Sequence, residues 1–173
     1  MQGGPEYAID ALPLEGDGKL NTLLKEKYQD RQPHISRDGR WMAYVSNESS
    51  KDEVYVRPFP DVDKGKWQIS VAGGEAPLWS PDGRELFYRN GDSVMAVSVE
   101  AGHAFKCGKP ETLFQGTYTS LSSDDGHPWD VSPDGKRFLM MKEVGSNASA
   151  GEWPPRRINI VLNWFEELKR EFR

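Results

Sequence analysis

One cysteine and three histidines are all that the 173 residues hold for thiol or imidazole chemistry. A lone Cys107 cannot form an internal disulfide, so the chain must hold together by its core in whatever compartment it occupies. No neighbouring base activates it in "FKCGKP", which favours a packed or idle thiol over a nucleophile. His34, His103 and His127 lie far apart and lack the His-x-x-x-His or Cys-x-x-Cys spacing of zinc sites, so no metal is expected. Basic charge is also short: 22 Lys and Arg against 27 Asp and Glu leave a net charge of −5. A phosphate-binding surface needs clustered cations, and the balance argues against nucleic acid. Apolar runs are short as well. None approaches the roughly 18 residues of a membrane span, so no membrane insertion by this chain is expected. The opening "MQGGPEYAID" lacks the basic and apolar regions of a signal peptide, and if the natural protein is exported the signal lies outside this chain.

Motifs of catalysis are missing too. There is no Gly-x-Ser-x-Gly nucleophile elbow, no Gly-rich phosphate loop, no His-Arg-Asp and no Asp-Phe-Gly. "DVDKG" at 61–65 starts like a calcium loop, but Lys66 stands at the sixth place where Gly is required and Ala72 at the twelfth where Glu is required. A plain turn is the better reading. No cofactor is expected.

What is present is repetition. "QPHISRDGRWMAYVS", "APLWSPDGRELFYRN" and "PWDVSPDGKRFLMMK" share Ser-x-Asp-Gly, a basic residue and an apolar strand, and their aspartates, Asp38, Asp82 and Asp134, lie 44 and 52 positions apart. Such a period is the length of a propeller blade. The motif is a turn between strands: Ser36, Ser80 and Ser132 precede it, the aspartates accept local backbone hydrogen bonds, and Gly39, Gly83 and Gly135 supply a positive φ. A structural role for these nine residues is the reading, ahead of metal binding or catalysis.

Each turn is followed by alternating strands, "WMAYVS" then "EVYVRPF", "ELFYRN" then "VMAVSVE", "RFLMMK" then "RINIVLNW". Outer strands "KWQISV" and "ETLFQG" complete two units of four strands. "YAIDALPLE" and "NTLLKE" read as the last two strands of another unit, and the final unit lacks a fourth. The expected fold is therefore all-β: about half of a β-propeller of four-stranded antiparallel blades, one domain over 1–173. Its parts are the late strands of an incomplete blade (7–30), two blades (31–74 and 75–118), an incomplete blade (127–162) and a C-terminal helix (163–173). Asn163 and Glu166 cap that helix, and Trp164, Phe165, Leu168 and Phe172 share one of its faces.

These repeats resemble TolB-type, WD-repeat-like propeller repeats. More narrowly, "DGRWMAYVSNES", "DEVYVRPFP", "SPDGRELFYRN" and "INIVLNWFEELKR" are similar to the C-terminal propeller region of bacterial eukaryotic-like serine/threonine protein kinases. The resemblance implies the sensor or interaction part of a kinase-linked system. It implies a periplasmic or extracytoplasmic location if the kinase is membrane-anchored, and a cytoplasmic one otherwise. No kinase activity follows, because no kinase motif is in the chain.

Two function classes stand: a non-catalytic scaffold for protein or ligand binding and self-assembly, and an enzyme, hydrolase-like, whose residues form no motif. For the scaffold, equivalent positions locate a candidate site. Ile35, Trp79 and Val131 align and are expected between blades; His34, Leu78 and Asp130 alternate to the other face; Arg31, Glu75 and His127 stand at the mouths of the innermost strands. Arg31, His34, Glu75, His127 and Asp130 are expected to border any pocket, with the Ser-x-Asp-Gly turns away from it. Exposed blade ends are what soluble repeat proteins avoid. A homodimer closing a ring of about six blades is the expected assembly, the N-terminal strands of each copy completing the C-terminal blade of the other.

Overall fold

The computed structural model of the chain describes residues 7–16, 18–101, 104–119, 129–142 and 158–160. The described residues form an all-β arc of antiparallel sheets following one another as the blades of a partial propeller. A two-stranded piece comes first, β1 (Ile9–Ala11) with β2 (Asn21–Leu24). The first full blade runs β3 (Arg31–Ile35), β4 (Trp41–Ser46), β5 (Glu53–Pro58) and β6 (Trp67–Gln68), with a 3-10 turn at Val62–Lys64 between the last two. The second has β7 (Glu75–Trp79), β8 (Glu85–Asn90), β9 (Ser93–Ala101), β10 (Phe105–Cys107) and β11 (Glu111–Gln115). The third unit holds β12 (Trp129–Val131), β13 (Phe138–Met141) and β14 (Ile158–Ile160). The expected C-terminal helix and its residues lie outside the described residues.

The second blade departs from four strands. Its third strand, β9, is nine residues long, and its two halves take different partners: β11 lies along Ser93–Ala96 and β10 along Val99–Ala101. "FKC", not among the strands expected from sequence, is thus a strand along the far half of β9, whose long edge would otherwise leave backbone groups unpaired.

All three turns are built alike. The turn glycines hold φ of 70°, 71° and 69°, a region open to Gly and strained for other residues. In the second turn the Ser80 hydroxyl donates to Asp82 (2.7 Å) and accepts from the Glu85 backbone N–H (2.9 Å), while Asp82 accepts from the Arg84 N–H (3.0 Å). Ser36 with Asp38, and Ser132 with Asp134, repeat the pattern. Each motif closes the hairpin between a blade's first and second strands.

Side chains alternate between the two faces of each blade, and the apolar ones gather in three layers, one per blade junction. Met42, Tyr44 and Tyr55 meet Ile9 and Leu24 of the first piece. Ala43, Val45, Val54 and Val56 meet Trp79, Leu86, Tyr88 and Val97 of the second blade. Leu78, Phe87, Val94 and Phe114 meet Trp129, Phe138 and Met140 of the third unit. Of the three residues expected between blades, Trp79 is buried and Val131 half-buried, but Ile35 is 36% exposed. The reason is architectural: Ile35 faces the first piece, where β1 and β2 supply outer strands and no inner ones.

Candidate functional site

The innermost strands β3 and β7 share a defect. Each carries an interruption of its ladder near its start, between Arg31 and His34 and between Glu75 and Leu78, and within it a non-glycine residue at positive φ: Gln32 at 53° and Ala76 at 49°. A bulge frees backbone groups from the ladder. Here they join blades. The Ala76 N–H donates to the Gln32 side-chain carbonyl (2.9 Å), and the Ala76 carbonyl accepts from the Trp129 ring N–H (3.0 Å). One residue of the second blade is thereby tied to both neighbours.

Of the expected site residues, Arg31, His34 and Glu75 lie on the two strands of this seam. Arg31 reaches sideways to Asp52 with a two-pronged ion pair. His34 is half-buried at the junction of the first two blades, its carbonyl accepting the Trp79 ring N–H at 3.0 Å and its Nδ1 lying 3.4 Å from the Trp79 backbone N. Glu75 is half-buried and in register with Arg89 of β8. Asp130 is exposed on the far face of the third unit and accepts from the Val131 N–H (2.8 Å). His127 lies outside the described residues. The structure brings Arg31, His34 and Glu75 to the adjoining strands β3 and β7, with Asp130 on the third unit's β12.

Arg89 was not among the expected residues. It is buried, donates to the Gly91 carbonyl (2.8 Å) and lies over the Tyr118 ring (5.8 Å), while its Nε–H has no partner among the described residues. The signal was available. Alternation in "ELFYRN" places Arg89 on the face of Phe87, where the first blade has Val45. A second buried polar group, Asp30, likewise has neither carboxylate oxygen hydrogen-bonded among the described residues, and burial pushes its pKa up against the opposing influence of Ser46.

The expectation that the turns lie away from any pocket needs correction. A cleft of about 340 Å³ opens between the first two turns, lined by Arg37, Asp38, Arg40, Pro81, Asp82, Gly83, Arg84 and Val99. Core side chains fill the space between sheets, but the turns project past them, and the wedge between adjacent hairpin ends stays open. Its charges are partly spent: Arg40 is paired with Asp38 at 2.7 Å. All three turn carboxyls sit below the ordinary value. At Asp38 burial alone would raise it, but Ser36 and Arg40 outweigh that; at Asp82 the Arg84 backbone N–H and the Ser80 hydroxyl do the lowering; at Asp134 the Ser132 hydroxyl leads. Among the described residues no three His, Cys, Asp or Glu side chains are grouped to hold a metal ion. At 61–65 the chain makes the 3-10 turn, with Lys64 paired to Asp61 at 2.5 Å.

No protein family and no curated protein matches the chain. Solved structures do match in fold. An oligogalacturonate lyase from Vibrio parahaemolyticus superposes with a TM-score of 0.54 at 12% identity, over 79% of this chain and 36% of the other. An oligogalacturonate lyase in complex with manganese gives 0.50 at 13%, over 75% and 34%. TolB from Acinetobacter baumannii gives 0.45 at 16%, over 91% and 46%. At such identities the likeness concerns fold alone. The chain spans about a third to a half of the length of these structures, and its own sheets, with the two lyase superpositions, make its class an all-β partial propeller.

Proposed function

We propose that this chain is a non-catalytic β-propeller scaffold that acts by association. The supporting observation is what its inner-strand polar groups are committed to. Arg31 is held by Asp52, the His34 ring nitrogen faces the Trp79 backbone N–H, the Gln32 side chain accepts from the Ala76 N–H, and Arg89 on the neighbouring strand donates to the Gly91 carbonyl, so these groups work on holding strands, turns and blades together. A catalytic group must instead be presented to a substrate with room beside it. In the finer reading, which draws on the resemblance of "INIVLNWFEELKR" and the repeats to kinase-linked propellers, the scaffold is the sensor or interaction part of such a system.

The test is a turnover panel of esters, peptides, phosphomonoesters and oligogalacturonate, the last with and without manganese because the fold is shared with lyases of that substrate. The expected result is no turnover above that of heat-unfolded protein. Turnover that is lost in Arg31→Ala, Glu75→Gln or Arg89→Met protein, shown folded by circular dichroism, would overturn the reading.

A further inference from the structure

The two ends of the arc expose opposite halves of a contact that the chain makes internally. At the junction of the first two blades, Ala43 and Val45 look forward and are covered by the second blade, whose Trp79 looks back and donates to the His34 carbonyl. At the next junction Leu78 and Phe87 look forward and are covered by Trp129, Phe138 and Met140. The same positions in the third unit are Asp130, Leu139 and Met141. Nothing follows them among the described residues, and Leu139 and Met141 are 40% and 37% exposed. At the other end Ile35, the equivalent of Trp79, looks back and is 36% exposed.

We infer that a second copy of this chain covers both ends, head to tail. The forward face of one copy, Leu139 and Met141, meets the backward-looking Ile35 of the next. The β12–β13 hairpin of the first thereby fills the inner half of the blade that β1 and β2 of the next leave incomplete. Two such seams close a ring: each chain contributes two whole blades and one shared blade, giving about six, within the range of closed propellers. The shared blade has a built-in conflict. β14 pairs with β13 at the place β9 takes beside β8, and β1 pairs with β2 through a bulge as β9 does with β11, so β14 and the β1 of the next copy compete for one edge. The inference rests on the reading of the chain as an associating scaffold.

Light scattering on the full chain at micromolar concentration tests it. Twice the chain mass is expected. Ile35→Asp and Leu139→Asp, each at an already exposed position, should each weaken the dimer by roughly 30-fold or more, because either one spoils both seams. Mixing the two variants is the decisive arm. A mixed pair has one seam with both native residues, so equimolar mixing should restore dimer that neither variant forms alone. A wild-type monomer overturns the inference, and so does a dimer indifferent to either substitution or a mixture that stays monomeric. If an aspartate variant does not fold by circular dichroism, Ile35→Ser and Leu139→Ser carry the same comparison. A monomer that turns over nothing removes the second copy and leaves the scaffold reading in place; turnover in the substrate panel removes the scaffold reading whatever the mass.

Discussion

The second blade and the third unit have the same turn and opposite fates for the strand that follows. In both, a serine, an aspartate and a glycine close the hairpin with the same hydrogen bonds. Past the turn, Phe87 and Arg89 are buried, whereas their counterparts Leu139 and Met141 are exposed. The turn is a local object, satisfied within six residues. Burial of the strand belongs to the neighbouring blade, and where none follows among the described residues the same alternating pattern leaves apolar side chains uncovered within the single chain.

Truncating the equivalent residues should separate the two strands most strongly. Phe87→Ala should cost about 3 to 5 kcal/mol, because the ring packs against Phe138 and its removal leaves a cavity in the layer between blades. Leu139→Ala should move the stability of the monomer, measured at a concentration too low for association, by no more than about 0.5 kcal/mol. Urea unfolding of both variants is the measurement. Equal losses would mean that the third unit is as well covered as the second blade.

The inter-blade ties come next. Trp79→Phe keeps most of the ring but removes the N–H that the His34 carbonyl accepts, and Trp129→Phe does the same to Ala76. Each should cost about 1 kcal/mol, a buried acceptor losing its donor. A double variant whose loss departs from the sum would show that the two ties, at successive blade junctions, are energetically coupled.

Turn chemistry gives a smaller effect and a pH signature. Asp82→Ala should cost about 1 kcal/mol near neutrality, comparable to loss of a helix cap. The folded-state pKa of Asp82 is lowered, so its contribution is present above the ordinary 3.8 and is lost as pH falls through the lowered value. The penalty of the substitution should therefore shrink in acid, as thermal unfolding at pH 7 and pH 3 can show. Asp30 has the opposite sign. Its pKa is raised by burial, so its favourable contribution is present below 3.8 and lost as pH rises through the raised value. Asp30→Asn should accordingly raise the unfolding temperature by a few degrees at neutral pH and by less in acid.

How much of this was legible in sequence varied with distance along the chain. The turns could be read because serine, aspartate and glycine act on backbone two to five residues away. Blade order could be read because the repeat spacing is regular. The extra strand β10 could not, since it depends on how far β9 extends beyond β11. Nor could the role of His34, whose carbonyl meets a tryptophan 45 residues later. The cleft between turns was missed for a related reason: it belongs to two hairpins side by side and to neither alone.

By itself, then, the sequence determined the turn type, the strand alternation and the unit length, all consequences of short-range sterics and hydrogen bonding. Tertiary structure decided which alternating faces are buried, which polar residues become ties between blades, and why Gln32 and Ala76 hold backbone angles that neither residue favours alone. Those are set by what the next blade places opposite. In a repeat protein an apolar face is stable only with a neighbour, and neighbours come together across some forty-four residues of chain, beyond the reach of any local rule.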